Sequence, residues 1–544
     1  MTAASDLSSA SVSPRTPADR RFDLIVFALY AACITLVSAL HEPWKDETQS
    51  WRMAIDSDGV AALVRNARYE GHPLLFHLLL QLLGHLSRSW WAAVVLHIVI
   101  ACAAAWVLLR YSPFTRLERA LVVAGYFPAY EYAVIVRPYS LTMLLAAGAC
   151  AAWTARTRRT VLAMVLLVLL ANTTAMGLVI ALAAGGAFAL DLLWRDDMPL
   201  RLTRRQVALA AASLAALGAV AIFVALQVVP PANAAYRGEG LLAGNRSAWH
   251  LGLALTTPLR ALTPIASIGE GTVQWNNWVF RPPGSAALLA EVLVSAVVVG
   301  IGCFVTLRRR TAVALYLAGS LGLVAFFALV LIGYARHHGH LVIVWIMAVW
   351  LSRFGAPTVW PRAIQSVALR AQRWAPTLFV ITLVPMVIAA GEFLVGDAML
   401  QFSDARGVAT FLRTRSLDTL PMLGISRSDA QSVAALLDRP VINPLDQSVG
   451  TFLVWGTVLD LPPTEAQITT LTDTLLQRHC AVAMIATRQM DVPVSLERSV
   501  RMIYESPDRP MSANWFRVWL QSAPPSPRCP SAPGSAAERH TGAR

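Results

Sequence analysis

Two adjacent carboxylates, Asp46 and Glu47, follow directly after the first long apolar stretch of the chain. Charged side chains at a membrane are costly to keep and usually mark function. A carboxylate in this position can act as the general base that takes a proton from an attacking hydroxyl. We therefore interpret Asp46 as the candidate base and Glu47 as its catalytic neighbour. The alternative is that both acids only stabilise the first turn of an interfacial helix.

Cations that suit a phosphate group occur at two later positions, again beside apolar stretches. Arg336, His337 and His338 precede one such stretch, and Arg137 precedes another. Arginine suits phosphate because its planar guanidinium donates two parallel hydrogen bonds. We predict that Arg336 with His337 or His338 binds a phosphate, and that Arg137 has a secondary role. A plain interfacial cluster and a metal site on His337 and His340 are the alternatives.

Further polar and aromatic side chains lie in the same kind of loop and are expected to support the site or contact the acceptor. They are Glu131, His72, Tyr139, Trp275 and Trp278. For His72 the alternative is a plain helix start, because Pro73 follows it and proline favours the first helical position. For Trp275 and Trp278 the alternative is a tryptophan belt at the membrane interface.

The composition indicates what must position these residues. Of 544 residues, 56% are hydrophobic and only 14% are charged, whereas soluble proteins carry about 25% charged residues. Long apolar stretches recur between residues 22 and 395, which predicts a multi-pass membrane protein. The net charge of +13 comes from arginine clusters between these stretches. This pattern follows the positive-inside rule, so we do not expect nucleic acid as a partner.

The apolar stretches predict an all-α polytopic membrane domain over residues 21–395, with about 11 spans. Every arginine cluster then falls on one side, and the candidate site residues fall on the other, outer side. Residues 1–20 are expected to form a disordered cytoplasmic tail. The predicted spans are Phe22–Leu40, Trp91–Leu109, Leu121–Tyr130, Leu141–Trp153, a helix pair within Val161–Trp194, Val207–Val229, Ala286–Leu307, Ala312–Ile332, Leu341–Leu351 and Pro376–Val395.

Two outer loops carry many of the candidate residues. The first loop covers residues 41–89, and its apolar segment Pro73–Leu86 is shorter than the roughly 20 residues that a span needs. We therefore predict an interfacial or re-entrant helix in that segment. The second is a polar loop over residues 230–285.

The last part of the chain differs in character from the membrane domain. Between residues 396 and 521, short helix and strand patterns alternate, which predicts a small α/β domain outside the membrane. Residues 522–544 are rich in proline, serine and glycine and are expected to be disordered. A disulfide between Cys480 and Cys529 is possible, because both would face an oxidising compartment. It is left open, because Cys529 lies in the predicted tail.

The motifs of the first outer loop resemble a known superfamily. Trp44, Asp46 and Glu47 just outside the first span, with Gly71–Leu74 leading an apolar helix, look like the GT-C glycosyltransferases. The pattern is most similar to the protein O-mannosyltransferases and the lipid A aminoarabinose transferases. The resemblance covers roughly residues 20–355, and it implies a GT-C-like membrane fold.

The resemblance also implies a reaction. The donor would be a polyprenyl-phosphate-linked sugar, the anomeric carbon would be inverted, and an acid of the first outer loop would be the base. That role falls to Asp46, with Glu47 beside it. In the mannosyltransferases a second acid follows an arginine in the second outer loop. Arg137 is not followed by such an acid, so dependence on a divalent metal, Mg or Mn, is left open.

We therefore predict an integral-membrane glycosyltransferase, a hexosyl- or pentosyltransferase of the cell envelope. Its acceptor would be an extracytoplasmic glycan, lipid or protein. We expect it in the inner (plasma) membrane, in contact with membrane lipid, with the N-terminus in the cytoplasm and the C-terminal domain outside. A polysaccharide polymerase or ligase is the main alternative. A transporter or lipid flippase is a weaker one, since it would need charges inside the spans.

Overall fold

The computed structural model describes residues 15–529 apart from short gaps. The gaps are residues 156–158, 194–203, 231–237, 270–271, 280–283, 426, 456–462, 488–491, 493–495, 497–498, 508–510, 513–514 and 527–528. Residues 1–14 of the predicted N-terminal tail and residues 530–544 of the predicted C-terminal tail lie outside the described residues.

The membrane domain is helical, as predicted, and each predicted span corresponds to observed helical structure. The helices are α1 (Pro17–Leu40), α2 (Lys45–Asp56), α3 (Gly59–Asn66), α4 (Leu75–Gly84), α5 (Trp90–Tyr111), α6 (Arg116–Ala124), α7 (Tyr139–Trp153), α8 (Thr160–Ala171), α9 (Ala175–Leu193), α10 (Arg204–Val228), α11 (Ala248–Leu255), α12 (Thr257–Leu262), α13 (Ser285–Thr306), α14 (Arg310–Leu329), α15 (Ala335–Ser352) and α16 (Arg362–Met399). By length and composition, 6 of the described helices can cross a membrane, namely α1, α5, α10, α13, α14 and α16.

The third predicted span, Leu121–Tyr130, is interrupted, which corrects the prediction of one continuous helix. α6 ends before Gly125, and a π-helical turn, Phe127–Glu131, follows it. Pro128 lies inside this turn, and proline has no backbone N–H to continue a regular helix. The interruption leaves Glu131 buried at the end of the turn.

The first helix begins earlier than predicted. α1 starts at Pro17, and Thr16 and Asp19 form a reciprocal capping box at its first turn. Such a box satisfies backbone N–H groups that would otherwise lack partners at the helix start. The prediction of disorder is therefore wrong for residues 17–20.

Short ion pairs join the helix ends at one face of the membrane domain. We call this the arginine-rich face and define it by Glu118, Asp191, Arg309 and Arg353. Arg353 donates to both oxygens of Glu118, at 2.5 and 2.6 Å, and Arg309 contacts Asp191 at 2.5 Å. These bonds link helices that lie far apart in the sequence.

The opposite face carries the loops that were predicted to hold the site, and we call it the site face. The first outer loop folds into α2, α3 and α4, and the ten residues of α4 agree with a helix too short to cross. The polar loop contains α11, α12, a 3-10 turn at Leu241–Ala243, and an antiparallel hairpin of β1 (Ala266–Gly269) and β2 (Thr272–Trp278). This hairpin was not predicted from the sequence.

The C-terminal domain is α/β, as predicted. Its strands are β3 (Met422–Gly424), β4 (Val441–Ile442), β5 (Val449–Gly450), β6 (Ala481–Thr487), β7 (Val500–Glu505) and β8 (Phe516–Ser522). They form one mixed sheet in the order β5-β4-β3-β6-β8-β7, in which β3 is parallel to β4 and β6. Its helices are α17 (Ala405–Thr414), α18 (Arg427–Leu437) and α19 (Glu465–Arg478).

Both faces of this sheet are covered by helices. Met422 and Ile485 belong to the apolar cluster formed with α17 and α18, whereas their neighbours Leu423 and Met484 belong to the cluster formed with α19. This division follows from strand geometry, since successive side chains point to opposite faces. The near-continuous apolar character of β6 is thereby explained.

A disulfide joins Cys480, just before β6, to Cys529, which answers the question that the sequence left open. Ser522 belongs to β8. The predicted disordered tail, residues 522–544, is therefore wrong at Ser522 and at Cys529, both of which are attached to the sheet.

The C-terminal domain packs directly on α2 of the site face. The side-chain amide of Gln49 donates to the carbonyl of Leu453 at 2.7 Å and accepts from the N–H of Leu453 at 2.8 Å. Arg52 contacts Asp438 at 2.5 Å, and Phe452 packs on an apolar cluster of the first outer loop. These contacts hold the domain over the predicted site.

Candidate active site

Asp46 and Glu47 begin α2 but have opposite environments. Glu47 is completely buried. Its Oε2 accepts from the N–H of Trp44 at 2.7 Å, and its Oε1 accepts from the N–H of Val136 at 2.6 Å. Glu47 therefore caps α2 and joins a second loop to it. The alternative of a helix-capping acid holds for this residue.

His41 completes the structural role of Glu47. Its Nε2 lies 3.1 Å from Oε2 of Glu47, and its Nδ1 lies 2.7 Å from Oδ2 of Asp397 at the end of α16. Burial would lower the pKa of His41, but the carboxylates of Asp397 and Glu47 outweigh it and raise the pKa to about 10. A charged His41 thus joins the first and last membrane helices.

Asp46 faces outward from the same turn. Its side chain is 33% exposed, and Nη2 of Arg336 lies 3.9 Å from its Oδ2. That distance is too long for a hydrogen bond. Asp46 lines a cavity of about 140 Å³. It is therefore a carboxylate that a ligand can reach.

Arg336 is held by aromatic rings at the start of α15. Its guanidinium carbon lies 4.8 Å from the ring centre of Trp44, 5.3 Å from that of Trp275 and 4.9 Å from that of Tyr334. A cation over aromatic faces is attracted by their negative charge. The rings fix the guanidinium beside Asp46 without neutralising its charge.

Arg137 reaches α2 from the loop before α7. Its Nη1 donates to the carbonyl of Asp46 at 2.6 Å and to Ser50 Oγ at 3.0 Å, and its Nη2 donates to Nε2 of His72 at 2.5 Å. Burial would lower the pKa of Arg137, but Asp46 and its other neighbours raise it overall. Burial and Arg137 hold the pKa of His72 well below its usual value, so the neutral ring accepts this bond.

The remaining supporting residues are buried beside this cluster. Glu131 Oε2 accepts from Tyr126 at 2.5 Å and from Nε1 of Trp275 at 3.0 Å, while its buried Oε1 has no partner among the described residues. The ring of Tyr139 lies edge-on to that of His72, with the centroids 5.9 Å apart. The structure thus brings four of the predicted supporting residues into one region, namely Glu131, Trp275, Tyr139 and His72.

The two predicted phosphate-binding histidines point in different directions. His337 Nδ1 accepts from the N–H of Tyr334 at 2.9 Å, which caps α15. His338 Nε2 lies 2.9 Å from the carbonyl of Ile332, and its ring lines a second cavity. His340 contacts Thr174 in the core. Across the described parts of the chain, no group of three His, Cys, Asp or Glu side chains suits a metal ion.

The second cavity has a volume of about 210 Å³ and lies beside α12. Arg260, Asn276, Trp278 and His338 line it. The guanidinium of Arg260 lies 4.6 Å from a Trp278 ring centre, so Trp278 belongs to this cavity and is separated from the Asp46 cluster. Nη1 of Arg336 lies 3.4 Å from Oδ1 of Asn276, which makes Arg336 the link between the two cavities.

Sequence reasoning missed several residues of the Asp46 cavity. Gln49, Glu70 and Gln431 line it as well. Glu70 lies in a tight loop with Gly71, whose φ of +79° is a left-handed conformation that glycine adopts readily. Burial would raise the pKa of Glu70, but His77, Arg137 and Gln49 lower it overall. Its position beside His72 was the available signal, whereas nothing in the sequence pointed to Gln431.

The fold that carries this site, a helical membrane domain followed by a small α/β domain, is similar to that of ArnT. Among solved structures, ArnT from Cupriavidus metallidurans in the apo state matches with a TM-score of 0.51 and 13% identity, over 92% of this chain and 99% of that chain. ArnT from the same organism bound to undecaprenyl phosphate covers the same shares, with a TM-score of 0.49 and 13% identity. The likeness in fold confirms the structural side of the predicted resemblance.

Sequence comparisons do not add to this likeness. No protein-family model matches the chain. No curated protein sequence matches it either.

Proposed function

We propose that this protein is a membrane glycosyltransferase that moves a sugar from a polyprenyl-phosphate donor to an acceptor hydroxyl, with Asp46 as the general base. The observation that carries the proposal is an accessible carboxylate at the site face, that of Asp46. Nη2 of Arg336 lies 3.9 Å from its Oδ2, and Arg137 donates to the backbone carbonyl of the same residue. The GT-C fold shared with ArnT, and the undecaprenyl phosphate bound by ArnT in one structure, agree with this chemistry.

The base role follows from the contrast between the two acids. Both oxygens of Glu47 are bonded within the protein, whereas Asp46 opens into the cavity. In the proposed step Asp46 accepts the proton of the acceptor hydroxyl, and the oxygen attacks the anomeric carbon from the side opposite the phosphate. The bond from that carbon to the phosphate oxygen breaks, which inverts the anomeric centre.

The leaving phosphate needs positive charge near Asp46. Arg336 lies between the two cavities and supplies this positive charge. His338 lines the second cavity, and Arg137 lines the first. Ordered cations of this kind stabilise charge that develops in the transition state.

Replacement of the base tests this function. In detergent-solubilised protein, Asp46→Asn should lower transfer from purified polyprenyl-phosphate sugars by about 10²–10⁴-fold, since removal of a general base has that effect. Asp58→Asn, at an exposed acid before α3, is the matched control and should retain full activity. Wild-type transfer rates in the Asp46→Asn variant would show that Asp46 is not the base.

We also propose that the arginine-rich face lies in the cytoplasm, with the C-terminal domain in the periplasm or outside the cell. The arginine clusters between the spans support this orientation. Reporter fusions after Arg20, Arg119, Arg205, Arg310 and Arg373 should report cytoplasm, and a fusion after Arg406 should report the outside. Outside activity from two or more of the first five fusions would contradict the orientation.

A further inference from the structure

The cavity at Asp46 has walls from two distant parts of the chain. Asp46 and Arg137 form the membrane side, and Gln431 and Leu453 of the C-terminal domain form the other side. Its volume is about 140 Å³, and a buried cavity of about 150 Å³ holds one benzene ring. The space therefore suits a single sugar ring with its hydroxyl groups.

Gln431 is the unusual member of this wall. It lies in α18 with only 3% of its surface exposed, and its Nε2 has no hydrogen-bond partner among the described residues. Buried donors in native proteins are almost always bonded, because an unmade bond leaves the desolvation of the group uncompensated. A donor of this kind at a cavity wall indicates that a ligand oxygen completes its bonding.

The position of Gln431 is fixed by the docking of its domain. The two hydrogen bonds between Gln49 and Leu453, at 2.7 and 2.8 Å, and the ion pair of Arg52 with Asp438 hold α18 against α2. A binding group that is already held in place loses little conformational freedom when its ligand arrives. The amide is thus preorganised beside the base.

We propose that Gln431 is a specificity-determining residue whose amide donates to an oxygen of the sugar ring bound at Asp46. The C-terminal domain then supplies one wall of the sugar subsite. This inference rests on the proposed function, because that function supplies the sugar. The oxygen belongs either to the donor sugar or to an acceptor sugar, and both present the same hydroxyl chemistry.

Sugar binding tests the proposal without requiring turnover. Purified full-length protein is titrated by saturation-transfer NMR with glucose, mannose, arabinose and N-acetylglucosamine, and separately with undecaprenyl phosphate. Gln431→Met keeps the side-chain length and removes the donor. It should weaken the binding of the preferred sugar about tenfold, or about 1.4 kcal/mol, and leave the binding of undecaprenyl phosphate unchanged. Gln477→Met, at an exposed glutamine of α19, is the matched control.

Kinetics separate the two sources of the sugar. A rise in KM for the polyprenyl-phosphate sugar assigns the Gln431 contact to the donor, and a rise in KM for the acceptor assigns it to the acceptor. Unchanged sugar binding in Gln431→Met, or no binding of any of these sugars by the wild type, would overturn the proposal. Wild-type sugar binding without any transfer would instead contradict the proposed function.

Thermal unfolding separates binding from a structural role. Gln431→Met removes a buried group without a partner, so the melting temperature of the protein without sugar should stay the same or rise. A lower melting temperature with normal sugar affinity would show that Gln431 is structural and overturn the proposal. Gln431→Ala provides the same binding test if Gln431→Met does not fold.

Discussion

The two faces of the membrane domain use charge in opposite ways. On the arginine-rich face, Glu118 has both oxygens bonded to Arg353, at 2.5 and 2.6 Å. On the site face, Arg336 approaches Asp46 only to 3.9 Å, and one buried oxygen of Glu131 has no partner among the described residues. Glu118 and Asp191, the acids of the first face, therefore have both oxygens bonded within the protein, whereas in the described part of the chain Asp46 and Glu131 do not.

This difference indicates which charges are structural and which are functional. A buried carboxylate with all its bonds made holds helices together, but it has nothing left to offer a substrate. Incompletely bonded polar groups beside a cavity are typical of functional sites. Some charged groups on the site face are also fully bonded within the protein, among them His41 and Glu47.

The largest effect is expected where a closed pair is broken. Arg353→Ala leaves the buried carboxylate of Glu118 without its guanidinium, which should lower the free energy of unfolding by about 3–5 kcal/mol. Denaturation of the solubilised protein measures this loss. Arg362→Ala, at an exposed arginine, is the control. Sugar transfer per folded molecule should be unchanged, and its selective loss would contradict the division between the two faces.

The His41 bridge is expected to give a pH-dependent contribution of about 3 kcal/mol or somewhat less, as for other buried ion pairs. Because its folded pKa of about 10 lies above the ordinary value of 6.5, its stabilisation is fully present below pH 6.5. It is lost as the pH rises through about 10. Melting temperatures between pH 6 and 11 measure this loss, which should be absent in His41→Asn.

An exposed histidine provides the control for the His41 test. His85→Asn, at an exposed histidine after α4, should keep the alkaline loss of stability seen in the wild type. His41→Asn should already be less stable than the wild type at pH 6. Equal stability of the two proteins at pH 6 would show that Glu47 and Asp397 do not need the charge between them.

The smallest effect is expected from a change that keeps charge on the site face. Arg336→Lys retains the positive charge but loses the planar fork and its fit among the aromatic rings. The KM for a polyprenyl-phosphate sugar should rise about tenfold, or about 1.4 kcal/mol. Arg65→Lys, at an exposed arginine of α3, is the control. An unchanged donor KM in Arg336→Lys would remove Arg336 from the phosphate site.

Much of the fold was predictable because membrane spans leave a strong trace in the sequence. The apolar stretches located the helices, and residues predicted in different outer loops, such as Arg137 and Asp46, do meet. The divided third span was missed because Tyr126 to Glu131 continues the apolar pattern, and only Pro128 marks the break. The pattern of apolar residues reports burial, but it does not report backbone geometry.

The parts of the site that could not be predicted depend on long-range contacts. Glu47 and Asp46 are adjacent carboxylates. Only the approach of Val136 and His41 determines that the oxygens of Glu47, and not those of Asp46, are bonded within the protein. Gln431 is an ordinary glutamine on a short helix until its domain docks on α2. Such roles are set by tertiary packing, which no local spacing records.

The contact between Gln49 and Leu453 can form only after most of the chain has been synthesised. The two residues are 404 positions apart, so at translation rates of about 5–20 residues per second Leu453 emerges roughly 20–80 s after Gln49. Once Arg336 has also emerged, the nascent chain has Asp46, Arg137 and Arg336, but it lacks one wall of the cavity until Leu453 follows. A ribosome-bound chain that ends before α18 is therefore expected to be inserted in the membrane but inactive.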